Sequence, residues 1–200
     1  MSLADFHGTL AATLPGAVPF PALPWPPRVH LAVFAHRVDD LEPGLYLLLR
    51  DPAREADLRP LLREEFVWER PAGTPAGLPL VRLHAADVRG LAARLSCDQE
   101  IAGDGCFSLG MIAELEGPVR SGGAWVYPRL YWECGAVGQV LYLEAEARGL
   151  SGTGIGCYYD EPVHGVLGLR GRAFQSLYHF TMGGSVPDPR VTSRPPYGSE

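Results

Sequence analysis

Two hundred residues, 46% of them hydrophobic, are enough for one domain with a sizeable core and argue against disorder over most of the chain. A formal charge of −6 leaves no basic stripe, so a nucleic-acid partner is excluded as an expectation. All 17 basic residues are arginine, which removes Schiff-base chemistry on lysine, a P-loop lysine and a lysine general base.

In chain order, Phe6, Leu10 and Leu14 predict a short amphipathic helix that stops before Pro15-Gly16. Residues 15–27 carry six prolines and read as an extended connector that cannot enter a sheet interior, so residues 1–28 are set apart from a domain over 29–184. Val29 to Ala35 reads as a buried strand, Asp39 to Gly44 as a turn and Leu45 to Leu49 as the second strand of a hairpin. Ala53 to Glu64 predicts a charged surface helix, Leu80 to Leu83 a short strand and Ala86 to Gln99 an amphipathic helix. Cys106 to Leu115, apolar on both faces, predicts a central strand.

A long helix follows from Tyr127, with Leu130, Cys134, Val137, Leu141 and Ala145 forming an apolar stripe. Trp132, Ala136, Val140 and Leu143 make its other faces apolar too, so the helix should be buried in a core or a subunit interface. Glu133, Gln139, Glu144, Glu146 and Arg148 interrupt it and exclude a membrane span. Gly135 and Gly138, each unfavourable in a helix by about 1 kcal/mol relative to alanine, suggest close approach of another element, a dimer partner being the natural one. Gly152-Thr153-Gly154-Ile155-Gly156 then reads as a glycine-rich turn before a strand at Cys157-Tyr158-Tyr159. A short helix near Val163 to Leu167, a last strand from Ser176 to Met182 and an extended tail over 185–200 complete an α+β order without internal repeat.

Motif by motif, the chemistry narrows. Gly152-x-Gly154-x-Gly156 is not a dinucleotide fingerprint, which must follow a strand and open a helix. Ser108 lacks the glycine that begins a nucleophile elbow. His30 and His36 lie ~20 Å apart along a strand, too far to share a metal, and His164 and His179 lack ligand-like neighbours, so no metal site is expected. Cys97, Cys106, Cys134 and Cys157 form no C-x-x-C pair and read as free thiols in a reducing compartment. Without a basic and apolar leader at the first residues, the expectation is a cytoplasmic protein. In the tail, Arg190 and Arg194 are suited to wrapping a partner or clamping a phosphate.

The run Tyr131-Trp132-Glu133-Cys134-Gly135-x-x-Gly138-Gln139-x-Leu141-Tyr142-Leu143-x-Ala145-Glu146-x-x-Gly149-Leu150, followed by Gly-Thr-Gly-Ile-Gly, resembles the C-terminal half of the nitroreductase family. Leu177-Tyr178-His179-Phe180-Thr181-Met182-Gly183-Gly184, with Pro187-Asp188-x-Arg190, is similar to the last strand and tail of the branch that includes azoline dehydrogenases and tandem-domain nitroreductase-like proteins. The resemblance implies an α+β fold, a mixed sheet flanked by helices around a long buried helix. It also implies a homodimer, or a pseudo-dimer with an upstream half-domain, that holds FMN at the interface and passes hydride from NAD(P)H to a small-molecule acceptor. Gly152, Thr153, Gly154 and Ile155 would pass beside the isoalloxazine ring, and Arg190 or Arg194 would sit near the FMN phosphate. No catalytic side chain is assigned. The family's early Arg-Arg-Ser-like phosphate segment has no counterpart in residues 1–28, and the Lys-Tyr pair of azoline dehydrogenases is absent. These departures imply an alternative: the later part of a longer protein, or a flavin-less domain that serves as a dimerisation or scaffold module.

Overall fold

The computed structural model describes residues 1–192 and 197. Six strands form one sheet in the order β3-β2-β1-β4-β6-β5, with β1 at Val29–Ala35, β2 at Gly44–Leu48, β3 at Leu80–Ala85, β4 at Phe107–Glu114, β5 at Ser151–Ile155 and β6 at Phe174–Gly183. The predicted hairpin, the central strand and the α+β class are all found. The neighbouring strands pair antiparallel throughout, so the sheet is antiparallel rather than mixed.

Helices cover both faces. On one lie α1 (Leu3–Ala12) and the long α6 (Val126–Ala147); their Phe6, Leu10, Leu130, Val137 and Leu141 share a core with Val29, Leu31 and Val33 of β1. On the other lie α2 (Glu55–Leu58), α3 (Arg89–Leu95), α4 (Ile101–Asp104) and α7 (Asp160–Leu167), whose Leu58, Ala92, Ala102 and Val163 pack on Ala32, Phe34 and Leu47. A further helix, α5 (Glu116–Gly122), leads into α6. Burial from both sides explains why β1 reads as a continuous apolar run rather than an alternating one.

Two local expectations change. The helix predicted over Ala53 to Glu64 is broken into α2 between two short 3-10 turns, each carrying a proline at its start. The glycine-rich segment is not a turn: it is the edge strand β5, and Cys157 to Tyr159 is non-strand chain between β5 and α7. Within one chain α6 is buried on one side only, which leaves open the subunit interface that its apolar outer faces predict. Leu130, Glu133, Cys134, Val137, Gly138, Leu141 and Ala145 face inward, Tyr142 lies at the margin against Phe180, and Trp132, Gly135, Gln139 and Leu143 face outward on a stripe of their own.

A bulge in β6 sets the geometry of the edge. Met111 pairs with Tyr178 and Ile112 with Ser176, so Leu177 is an extra residue. One inserted residue exchanges the faces of a strand. Phe174 therefore packs with the α3/α7 side, while Tyr178, Phe180 and Met182 point to α6.

Candidate functional site

The resemblance directs attention to the end of the sheet where α6, β5 and β6 meet. Gly152 pairs with Met182 and Gly154 with Phe180, so both glycines lie on the face turned to α6. A Cβ on Gly152 would stand 2.6 Å from Phe180 Cζ and 3.4 Å from Tyr142 Cδ1. On Gly154 it would fall 1.9 Å from the Tyr178 hydroxyl oxygen. The glycines are thus required by three aromatic side chains of the same chain, and Tyr142 and Phe180 meet edge to face at 4.9 Å between ring centroids. The Gly154 N–H donates to the Tyr142 hydroxyl at 2.7 Å. That bond points the Gly154 amide away from β6, at the free edge of the sheet, and strand alternation turns the Gly152 amide the same way.

Gly138 of α6 is also answered from within: a Cβ there would meet Tyr178 Cε1 at 3.4 Å, whereas one on Gly135 would meet nothing within 4 Å. Gly135 is exposed on the outer stripe with Trp132 and Leu143, and Trp132 continues into an aromatic group with Trp125 and Trp25, over which the Arg129 guanidinium stacks.

Behind β5, on the opposite face of the sheet, the His179 ring stacks on Tyr158 at 4.3 Å and its Nε2 lies 3.2 Å from the buried Ser176 hydroxyl. Burial lowers the His179 pKa to about 4, so the ring is neutral at pH 7. The Tyr158 hydroxyl donates to the Ser176 carbonyl, and the Ser176 N–H donates to His164 Nε2. The four groups tie the strand to α7 as a packed polar network. His30 on β1 is fully buried and its pKa falls to about 4, chiefly by burial and then by the nearby Arg50 charge. His36 is held by the Ala102 carbonyl. No group of three metal-ligating side chains forms among the described residues.

Of the tail arginines, Arg190 bonds the Asp188 carboxylate through Nε and Nη2, with its side chain 88% exposed. Arg194 lies outside the described residues. The structure therefore brings Gly152, Thr153, Gly154 and Ile155 together on one strand. It gives Arg190 no described partner except Asp188. The family's flavin is poorly matched by this arrangement: the Gly154 N–H is engaged, and the space over both glycines is filled by Tyr142, Tyr178 and Phe180.

Three features escape a reading by sequence. Arg50 and Glu133 form a salt bridge with both side chains only 1% exposed. The Glu133 carboxylate also accepts from the Arg28 and Val29 amides, and Arg50 donates to the Thr13 and Val29 carbonyls under the Phe20 ring. The second is Tyr142 as the cap of β5. The third is the pairing of Cys97 with Cys157, whose thiol lies 2.6 Å from the Cys97 sulfur. A usable signal existed only for β5: Gly152-x-Gly154 has the period of a strand with one bare face.

No family model matches the chain, and no curated protein matches it. Solved structures do. The chain is similar to a protein from Anabaena variabilis described as a nitroreductase, with TM-score 0.68 and 20% identity over 92% of this chain and 34% of that one. It is similar to a chain of the E. coli microcin synthetase McbBCD complex, solved with truncated pro-MccB17 bound, with TM-score 0.63 and 20% identity over 94% of this chain and 65% of that one. A Ralstonia eutropha protein, also described as a nitroreductase, aligns with TM-score 0.60 and 16% identity over 94% of this chain and 75% of that one. This chain spans about a third of the first of these and just under two thirds of the second. No helix among the described residues is long and apolar enough to cross a membrane. The six-stranded antiparallel sheet, the long helix across it and these structural matches together identify the fold as that of the nitroreductases.

Proposed function

We propose that this chain is an association module of nitroreductase fold that holds no flavin of its own and pairs, through the outer stripe of α6, with a second copy. The observation that carries this reading is the closure of the β5 edge by Tyr142: the amide that would face a flavin is bonded within the chain, while Trp132 (51% exposed) and Leu143 (60% exposed) remain outward on the same helix. Large apolar groups contiguous on one helix face mark an interaction surface. Gly135 lets a partner's backbone approach between them. A stable pair of this kind buries ~2,000 Å² or more. Sedimentation velocity at tens of micromolar tests it: the parent chain sediments as a dimer and a Trp132→Glu, Leu143→Glu variant as a monomer. A monomeric parent overturns the reading.

A second reading is an FMN-dependent oxidoreductase of the nitroreductase type, moving hydride from NAD(P)H to a small-molecule acceptor. It is favoured by one feature, the edge position of β5, whose outward amides become available wherever Tyr142 turns away. In that reading Gly152, Thr153, Gly154 and Ile155 line the ring and Arg190 or Arg194 reaches the phosphate. A location in the cytoplasm belongs to the same reading.

A further inference from the structure

Cys97 and Cys157 come from segments 60 residues apart and meet beside the exit of β5. Their approach is fixed by the backbone on both sides. The Tyr159 N–H donates to the Leu95 carbonyl at 2.9 Å. The Gln99 side-chain amide donates to both the Ser96 and Cys157 carbonyls, at 2.7 and 3.0 Å. Cys97 and Asp98 both adopt left-handed backbone, at φ +55° and +56°, which turns the chain sharply after α3 and aims the Cys97 side chain across at Cys157. Non-glycine residues in that region are uncommon, and two in succession persist only where the surroundings hold them. Here the holding contacts are those to residues 157 and 159. Cys157 is exposed and Cys97 half-buried, so a small reagent reaches the pair from solvent. The other two thiols differ: Cys134 is buried in the α6 core, and Cys106 lies beside the amino terminus.

We infer that Cys97 and Cys157 are a dithiol site of oxidative modification, closed to a disulfide by low-molecular-weight disulfides. The exposed Cys157, as thiolate, attacks one sulfur of the reagent, whose S–S bond breaks and releases one thiol after protonation. Cys97, as thiolate, then attacks the Cys157 sulfur of the mixed disulfide, and the second thiol leaves. Two protein thiols lose two protons and two electrons, and one reagent disulfide becomes two thiols. The bond staples α3 to the segment that follows β5, and it closes a long loop, which restricts the unfolded chain.

The test uses oxidised glutathione on the full chain, read by intact mass, peptide mapping and thermal melting. The expected result is loss of two hydrogens without a retained glutathione, a crosslinked peptide joining residues 97 and 157, and a higher Tm that dithiothreitol reverses. Cys97→Ser should stop at one glutathione adduct on Cys157 with no rise in Tm, and Cys106→Ser should behave as the parent. The assignment is overturned if the parent retains glutathione on Cys157 without closing the bond, if it shows no reaction there, or if the crosslink maps to Cys106.

Discussion

Glu133 shows how a residue that looks like an interruption becomes a fastener. In sequence it breaks the apolar stripe of α6, and nothing nearby answers it. In the fold it accepts from Arg50, 83 residues away, and from two backbone amides at the start of β1. Such a buried pair offsets its own desolvation only while every member is present. Glu133→Ala leaves the Arg50 guanidinium buried without its counter-charge and strands the Arg28 and Val29 amides. The expected loss is about 3–5 kcal/mol, read as a fall in the midpoint of urea unfolding with little change in slope. A loss below ~1 kcal/mol would mean that water reaches the site. Tyr142 makes the same point on the surface: its ring fills the bare face of Gly152 and its hydroxyl accepts from Gly154. Neither role is legible in sequence, because each rests on a partner that only the tertiary fold supplies.

Among the elements, those whose signal is periodic were readable. β1, β2, β4 and α6 appear close to their predicted positions because two-sided burial and a 3.6-residue stripe are written in the order of apolar residues. β5 was hidden because its pattern is made of absences, glycines where a strand ordinarily carries side chains, and because glycine is also the commonest sign of a turn. The bulge at Leu177 has no sequence mark either; Phe174, Tyr178, Phe180 and Met182 share parity and would occupy one face of a regular strand. Strands β1 and β6, which flank β4, also carry the acid sensitivity of the fold. His30 and His179 have folded pKa values near 4, below the 6.5 of the unfolded chain. Between those values the unfolded state binds more protons, so their contribution is full above pH 6.5 and is lost progressively as pH falls toward 4. Tm should decline across that window, and His179→Phe should flatten the decline. A Tm independent of pH between 6.5 and 4 would contradict the buried neutral rings.

At the scale of the whole molecule, the α+β class and the nitroreductase-like order of elements were legible, while the closure of the β5 edge was not. The resemblance rests on the order Trp-Glu-Cys-Gly, Gly-Thr-Gly-Ile-Gly and Tyr-His-Phe-Thr-Met, and the fold places those stretches side by side as α6, β5 and β6. Contact between them is what the sequence could not express. The same residues that build the edge also close it, with Tyr178 and Phe180 rising from β6 and Tyr142 descending from α6. A flavin-free module requires that this edge refuse a flavin. Titration of FMN into the purified chain, followed by flavin fluorescence and thermal shift, measures it directly, since a ligand bound only by the native state adds RT ln(1 + [L]/Kd) to stability. A closed edge gives no quenching and no rise in Tm at roughly millimolar FMN, about a −4 kcal/mol limit on affinity. Stoichiometric binding at micromolar FMN, with a rise in Tm, would overturn the flavin-free module and restore the oxidoreductase reading.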